Sequence, residues 1–156
     1  MTQVVFIPLA YPGKAPHCLR LARLFSERGR RLLIAVEDGE QARQLDNFLW
    51  VREKLSFIPH RLWQGEDADF TEALERVVIA VGVPENCRAD VLVMVAPCTV
   101  EEAARFKLVF DFAETHDEQL RALSRERFGA FRDAGFQPRM WTERDGDGDA
   151  FGELFS

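Results

Sequence analysis

Leu32-Leu33-Ile34-Ala35-Val36-Glu37-Asp38-Gly39-Glu40-Gln41-Ala42 is the stretch that decides the fold class. Its first five residues are all apolar and leave no polar face, so they read as a strand covered on both sides. Asp38 with Gln41 three positions later is a capping-box start. Ala42, Leu45 and Leu49 then recur at helical spacing as one buried stripe. A doubly covered strand running straight into a capped helix is the unit of an α/β sandwich.

The same alternation repeats outward in both directions. Residues 4–9 form an apolar run ended by Tyr11-Pro12-Gly13, and Leu19, Leu21, Ala22, Leu24 and Phe25 follow as a helix closed by Gly29. Downstream, Phe57-Ile58 is a short strand candidate stopped by Pro59. Residues 77–83 and 91–95 read as a strand pair around the loop Pro84-Glu85-Asn86. Thr99 and Glu102 cap a short helix, residues 108–112 are a strand, residues 117–134 a long helix, and residues 137–141 an edge strand. The expected architecture is a three-layer α/β/α sandwich on a mostly parallel or mixed sheet.

The 156 residues suit one domain, with 47% apolar and 29% charged residues, as in ordinary globular proteins. Lys and Arg number 20 against 26 acids, a net charge of −6, which argues against strong direct binding of nucleic acid by bulk charge. The longest apolar run, residues 91–97, falls well short of the ~20 residues a membrane helix requires. The first residues read as a strand, not a secretory leader. Cys18, Cys87 and Cys98 are odd in number and widely spaced, which suits a reducing cytoplasm and matches no metal pattern. Residues 1–142 are expected as the domain. Residues 143–156, with Asp145-Gly146-Asp147-Gly148-Asp149 and five acids against Arg144, carry −4 of the net charge and read as a flexible acidic tail.

Candidate chemistry is sparse. Tyr11-Pro12-Gly13-Lys14-Ala15-Pro16 lies where an α/β fold often holds phosphate, so a nucleotide-binding α/β enzyme is an alternative reading. Two prolines remove amide donors from that loop, and Ala15 stands where a P-loop has a hydroxyl. His17, His60 and His116 have no metal-ligand spacing, and no nucleophile, base and oxyanion donor occur as a set. Neither catalytic residue, cofactor nor metal is expected.

The long helix carries the informative pattern. At about 100° per residue, Leu120, Leu123, Ala130, Phe131 and Ala134 fall together as its predicted buried face. Arg121, Arg125, Phe128 and Arg132 make a second stripe, a phenylalanine among three arginines, which fits an acidic peptide with apolar residues. Solvation of that stripe, with Arg121 paired to Asp117 and Phe128 under a loop, is the plainer alternative. Arg127 falls on the buried side, where an internal ion pair with an acid such as Asp111 is expected. Trp50 sits at the margin of the Ala42/Leu45/Leu49 stripe, with Phe57 beyond it, as core or as anchors for a partner.

Taken in order, Val36-Glu37-Asp38, Gln41-Ala42, Leu45-Asp46, Leu49-Trp50 and Ser56-Phe57-Ile58-Pro59-His60 resemble the DNA polymerase III chi subunit family. Val109-Phe110-Asp111-Phe112, Leu123-Ser124-Arg125-Glu126-Arg127-Phe128, Phe131-Arg132 and Ala134-Gly135-Phe136 extend the resemblance over residues 31–136. The resemblance implies a Rossmann-like core, no catalytic activity, and two docking faces. One would hold the psi subunit of the clamp loader through Trp50 and Phe57. The other would hold the acidic C-terminal tail of single-stranded DNA-binding protein through Arg121, Arg125, Phe128 and position 129. Phe128 stands where the family pattern has tyrosine and Gly129 where it has lysine, while Arg132 adds a cation nearby. A repair helicase is an alternative partner for the Trp50/Phe57 face. The chain's own end, acids leading to Phe151-Gly152-Glu153-Leu154-Phe155, imitates such a tail, so self-occlusion is a further reading.

Overall fold

The computed structural model describes residues 2–52, 58–63, 76–147 and 149–155. Seven strands lie in one sheet: β1 (Gln3–Leu9), β2 (Leu32–Val36), β3 (His60–Leu62), β4 (Val77–Val81), β5 (Val91–Met94), β6 (Leu108–Glu114) and β7 (Arg139–Met140). Their order is β3-β4-β2-β5-β6-β1-β7, and every pairing is parallel. Among the described residues four helices cover it: α1 (Ala15–Glu27), α2 (Gly39–Arg52), α3 (Val100–Ala103) and α4 (Glu118–Asp133). The three-layer sandwich is the architecture expected from the continuous apolar runs.

Strand alternation divides the core into two layers. Val5, Ile7, Leu32, Ile34 and Phe110 face α1 and α2, where Leu21, Phe25, Leu45 and Leu49 complete the first layer. Val4, Phe6, Leu33, Ala35 and Val109 face the other way, against Ala103, Phe106 and Phe131. The capping boxes form with one variation. Thr99 and Glu102 bond reciprocally, whereas Asp38 accepts the Gln41 amide and the Gln41 side chain reaches back to the Glu37 amide. Gly29, at φ +72°, closes α1 in a left-handed conformation that side chains disfavour.

Three local expectations change. The runs at 77–83 and 91–95 are strands, but β2 lies between them instead of the two pairing. Parallel neighbours need a long crossover, which this short connection cannot supply. It crosses the second core layer with Cys87 buried, while Arg105 donates to the carbonyls of Pro84, Glu85 and Cys87 at 2.9, 2.8 and 3.0 Å. The strand expected at 57–58 is displaced to His60–Leu62, with Ile58 buried ahead of it. Phe57 lies outside the described residues.

The third change concerns the acidic end. Residues Glu143–Asp147 and Asp149–Phe155 form 3₁₀ turns, and Phe151 is 1% exposed in the first core layer. Its ring lies 5.8 Å from Phe25 and 5.6 Å from Phe110. Composition alone predicts a solvated appendage because it averages over the aromatic residues that do the packing. Asp145 is buried and accepts a two-pronged pair from Arg139 at 2.8 and 2.9 Å, plus the Thr142 amide at 2.7 Å. Burial pushes its carboxyl up, but Arg139 and Thr142 outweigh this and hold it below the ordinary carboxylate value. The resulting stability is present above the unfolded-state value near 3.9 and is lost as pH falls through the lowered folded value.

Phe151→Ala is expected to cost about 3–5 kcal/mol in urea unfolding, the usual loss for a buried phenylalanine. A change within 0.5 kcal/mol, typical of surface sites, would show that residues 143–155 stand apart from the core.

Candidate functional site

Asp111 sets the geometry of the site. It lies on β6 facing α4, 1% exposed, and accepts Arg127 Nε–H at 2.8 Å. Burial pushes its carboxyl up; Arg127, the Phe112 amide and Lys14 oppose that shift without cancelling it. Arg127 also donates to the Phe112 carbonyl at 3.2 Å, and the Ser124 hydroxyl accepts the Glu114 amide at 3.0 Å. The ion pair expected between Arg127 and an acid such as Asp111 is therefore present, and it fixes the rotation of α4.

That rotation revises the helix faces. Ser124 and Phe131 are buried, and Leu120, Arg127 and Phe128 are half-buried, one stripe at positions i, i+4, i+7, i+8 and i+11. Leu123, Ala130 and Ala134, expected inside, are exposed. An apolarity-weighted wheel misses this because it counts Arg127 and Ser124 as polar, whereas their partners on β6 bring them inward.

Along the other edge of this stripe runs a cleft of about 230 Å³ lined by Arg121, Arg125 and Phe128 of α4, Phe6 of β1, and Met140 of β7. Phe128 is not a ring standing free: it packs on Phe6 with centroids 5.1 Å apart, so the two rings form the apolar floor. Ala113, Glu114, Thr115 and Ser124 complete the lining. Arg121 and Arg125 are exposed, and neither makes an ion pair among the described residues. The one acid in the cleft, Glu114, is held by Lys14 at 2.9 Å. Two unpaired guanidinium groups over an aromatic floor can take carboxylates and an adjacent apolar side chain.

Arg132 lies outside this lining, 3.5 Å from Asp133. A Cβ placed on Gly129 would meet the Arg132 guanidinium at 3.6 Å, so that side chain lies close to the position where the family pattern has lysine. Sequence reasoning missed Phe6 and Met140, which the β1–β7 register sets side by side. Strand geometry was the available signal for Phe6, because it sets that ring on the same face as Val4.

The second nominated face is at the end of α2. Trp50 is 46% exposed, and its ring packs on His60 with centroids 4.6 Å apart. The His60 Nδ1 lies 2.8 Å from the Ile58 carbonyl, which fixes the ring beneath Trp50 from one side, while its buried Nε2 lies 3.3 Å from Asp46 without a hydrogen bond.

At the C-terminal ends of the strands, a larger cavity of about 510 Å³ is lined by Leu9, Lys14, Gln41, Phe48, Glu114 and His116 among others. Lys14, the cation a phosphate would need, donates to the Val95 carbonyl at 2.9 Å and pairs with Glu114. Burial pushes the thiols of Cys18, Cys87 and Cys98 up to about 12, 11 and 12, so each is held as the unreactive thiol at neutral pH. No cluster of metal-binding side chains occurs among the described residues. No described helix is long and apolar enough to cross a membrane.

The family model described as "DNA polymerase III chi subunit, HolC" matches residues 1–139. The chain belongs to the DNA polymerase III chi subunit family. It is 37% identical over 111 residues to DNA polymerase III subunit chi of Escherichia coli strain K12, covering 69% of this chain and 71% of that protein. The corresponding Haemophilus influenzae protein is 28% identical over 116 residues, covering 74% and 78%. Chi-family membership supports an accessory role in replication and fits a protein without an active site of its own. The family match ends at Arg139, so Met140 and the packed acidic segment lie beyond it.

Arg127→Ala strands Asp111 as an unpaired buried carboxylate and is expected to cost about 3–5 kcal/mol at pH 7. The penalty should shrink as pH falls, because a protonated Asp111 needs no cation. Urea unfolding of wild type and variant across pH checks this, and a loss independent of pH would contradict it.

Proposed function

We propose that this chi-family protein is a non-catalytic coupling module of the bacterial replicative polymerase. On this reading it links the clamp loader, through psi, to the acidic C-terminal tail of single-stranded DNA-binding protein. The observation that carries the tail site is the pair of guanidinium groups on Arg121 and Arg125, unpaired above the Phe6/Phe128 floor. Acidic residues of the tail meet the guanidinium forks, and its apolar end lies on the floor that the two rings form. Arg132, one turn beyond Phe128 on α4, adds longer-range attraction to the approaching tail. An overall charge of −6 disfavours DNA as the direct ligand. The replication context makes the cytoplasm the expected compartment.

Trp50, with Phe57, is proposed as the psi-docking face. What supports it is a large indole left 46% exposed while its base is fixed by His60. Partly exposed tryptophans on rigid supports are frequent anchors of protein interfaces.

Fluorescence titration with a labelled tail peptide should give saturable binding that weakens with salt. Arg125→Ala should weaken it by about 10- to 100-fold, the loss of one charge-assisted pair. Unchanged affinity would remove the cleft from the assignment. Separately, Trp50→Ala should lose psi in a pull-down while keeping peptide affinity. Retention of psi by that variant would place the partner elsewhere.

A further inference from the structure

β7 is only two residues long, and its side chains point to opposite faces of the sheet. Arg139 pairs in register with Val5 and Met140 with Phe6, so each joins a different core layer. On the first face Arg139 holds Asp145 through both carboxylate oxygens, and its guanidinium lies 5.7 Å from the Phe151 ring. On the second face Met140 is 42% exposed and walls the cleft beside Phe6 and Phe128.

β7 pairs with β1 alone, and among the described residues its outer side has no strand. Two ladder positions and the Trp141 amide bonded to the Phe6 carbonyl at 2.8 Å hold it to the sheet. A strand so short does not keep its register unaided. Asp145 adds the missing restraint, because it binds Arg139 before Met140 and both the amide and hydroxyl of Thr142 after it, at 2.7 and 3.2 Å. The carboxylate therefore fastens the chain on either side of Met140. Phe151 then anchors the segment that carries Asp145.

We propose that Met140 is a specificity-determining wall of the peptide cleft, and that Asp145, acting through Arg139 and Thr142, is the residue that positions it. This deepens the acidic-peptide reading above and rests on it. The thioether and the two rings make an apolar slot that selects an aromatic side chain at the peptide's end, while Arg121 and Arg125 take the carboxylates. Both proposed residues lie beyond residues 1–139, which the family model matches.

The test uses the full chain with two labelled probes, an aspartate-rich peptide ending in phenylalanine and its twin ending in alanine. Wild type is expected to prefer the first. Met140→Ala should lose about tenfold for the phenylalanine peptide and little for the twin, with the salt dependence unchanged. Asp145→Asn should reproduce that selective loss although it touches no peptide. Carbon-13 labelling of the methionine methyl groups gives a readout that survives if Asp145→Asn fails to fold. In wild type the Met140 resonance, assigned by Met140→Leu, should take a ring-current shift from the phenylalanine peptide only. No such shift, or variants that discriminate as wild type does, would overturn the proposal while leaving the cleft reading intact. Failure of wild type to bind either peptide would overturn both.

Discussion

A carboxylate buried on a central strand must have a cation, and meeting that need orients the helix on which the candidate site is built. Asp111 lies under α4, and Arg127 reaches it at 2.8 Å. Anchoring one side chain of a helix fixes the direction of every other. With Arg127 turned inward, Phe131 is driven into the core, Phe128 is half-buried on Phe6, and Arg121 and Arg125 stand at the edge of the cleft. Removing one member of such a pair is far costlier than never having had it, which makes the arrangement hard to vary singly.

The sheet supplies the rest of the scaffold. All its strands run parallel, so both faces must be covered, and α1, α2 and the C-terminal 3₁₀ turns cover one while α3 and α4 cover the other. The acidic segment meets its own arginines on the face opposite the cleft. Arg139 forks Asp145, and the Arg30 guanidinium lies 4.7 Å from the Phe155 ring. It uses the pairing of acid and ring with arginine that is proposed for an incoming tail, but across the sheet, so it does not fill the cleft. The −6 charge thus belongs to a nearly balanced domain carrying an acidic clasp.

Much of this was legible in the residues. Continuous apolar runs at 32–36 and 91–95 require a doubly covered sheet, and the inward angle of Arg127 with a strand-borne Asp111 points to their pairing. The stripe of Arg121, Arg125 and Phe128 is visible by spacing, and the structure gathers those three into one cleft. Other features depend on contacts distant in sequence. Met140 enters the cleft through a two-residue register with β1, which no local pattern encodes. The packing of Phe151 was hidden because the glycines and aspartates around it dominate the composition. The order of β4 and β5 differs from the expected pair, because sequence adjacency does not reveal that β2 sits between them.

On the proposed reading, the cleft between α4 and the β1/β7 edge receives an acidic peptide end. Amide chemical-shift mapping of the full chain during titration with the tail peptide tests it most directly. Perturbations should concentrate at 113–115, 121–128 and Met140, with the Trp50 and His60 signals unmoved. Perturbations centred instead on Trp50, or on the Lys14 and Gln41 cavity, would contradict it.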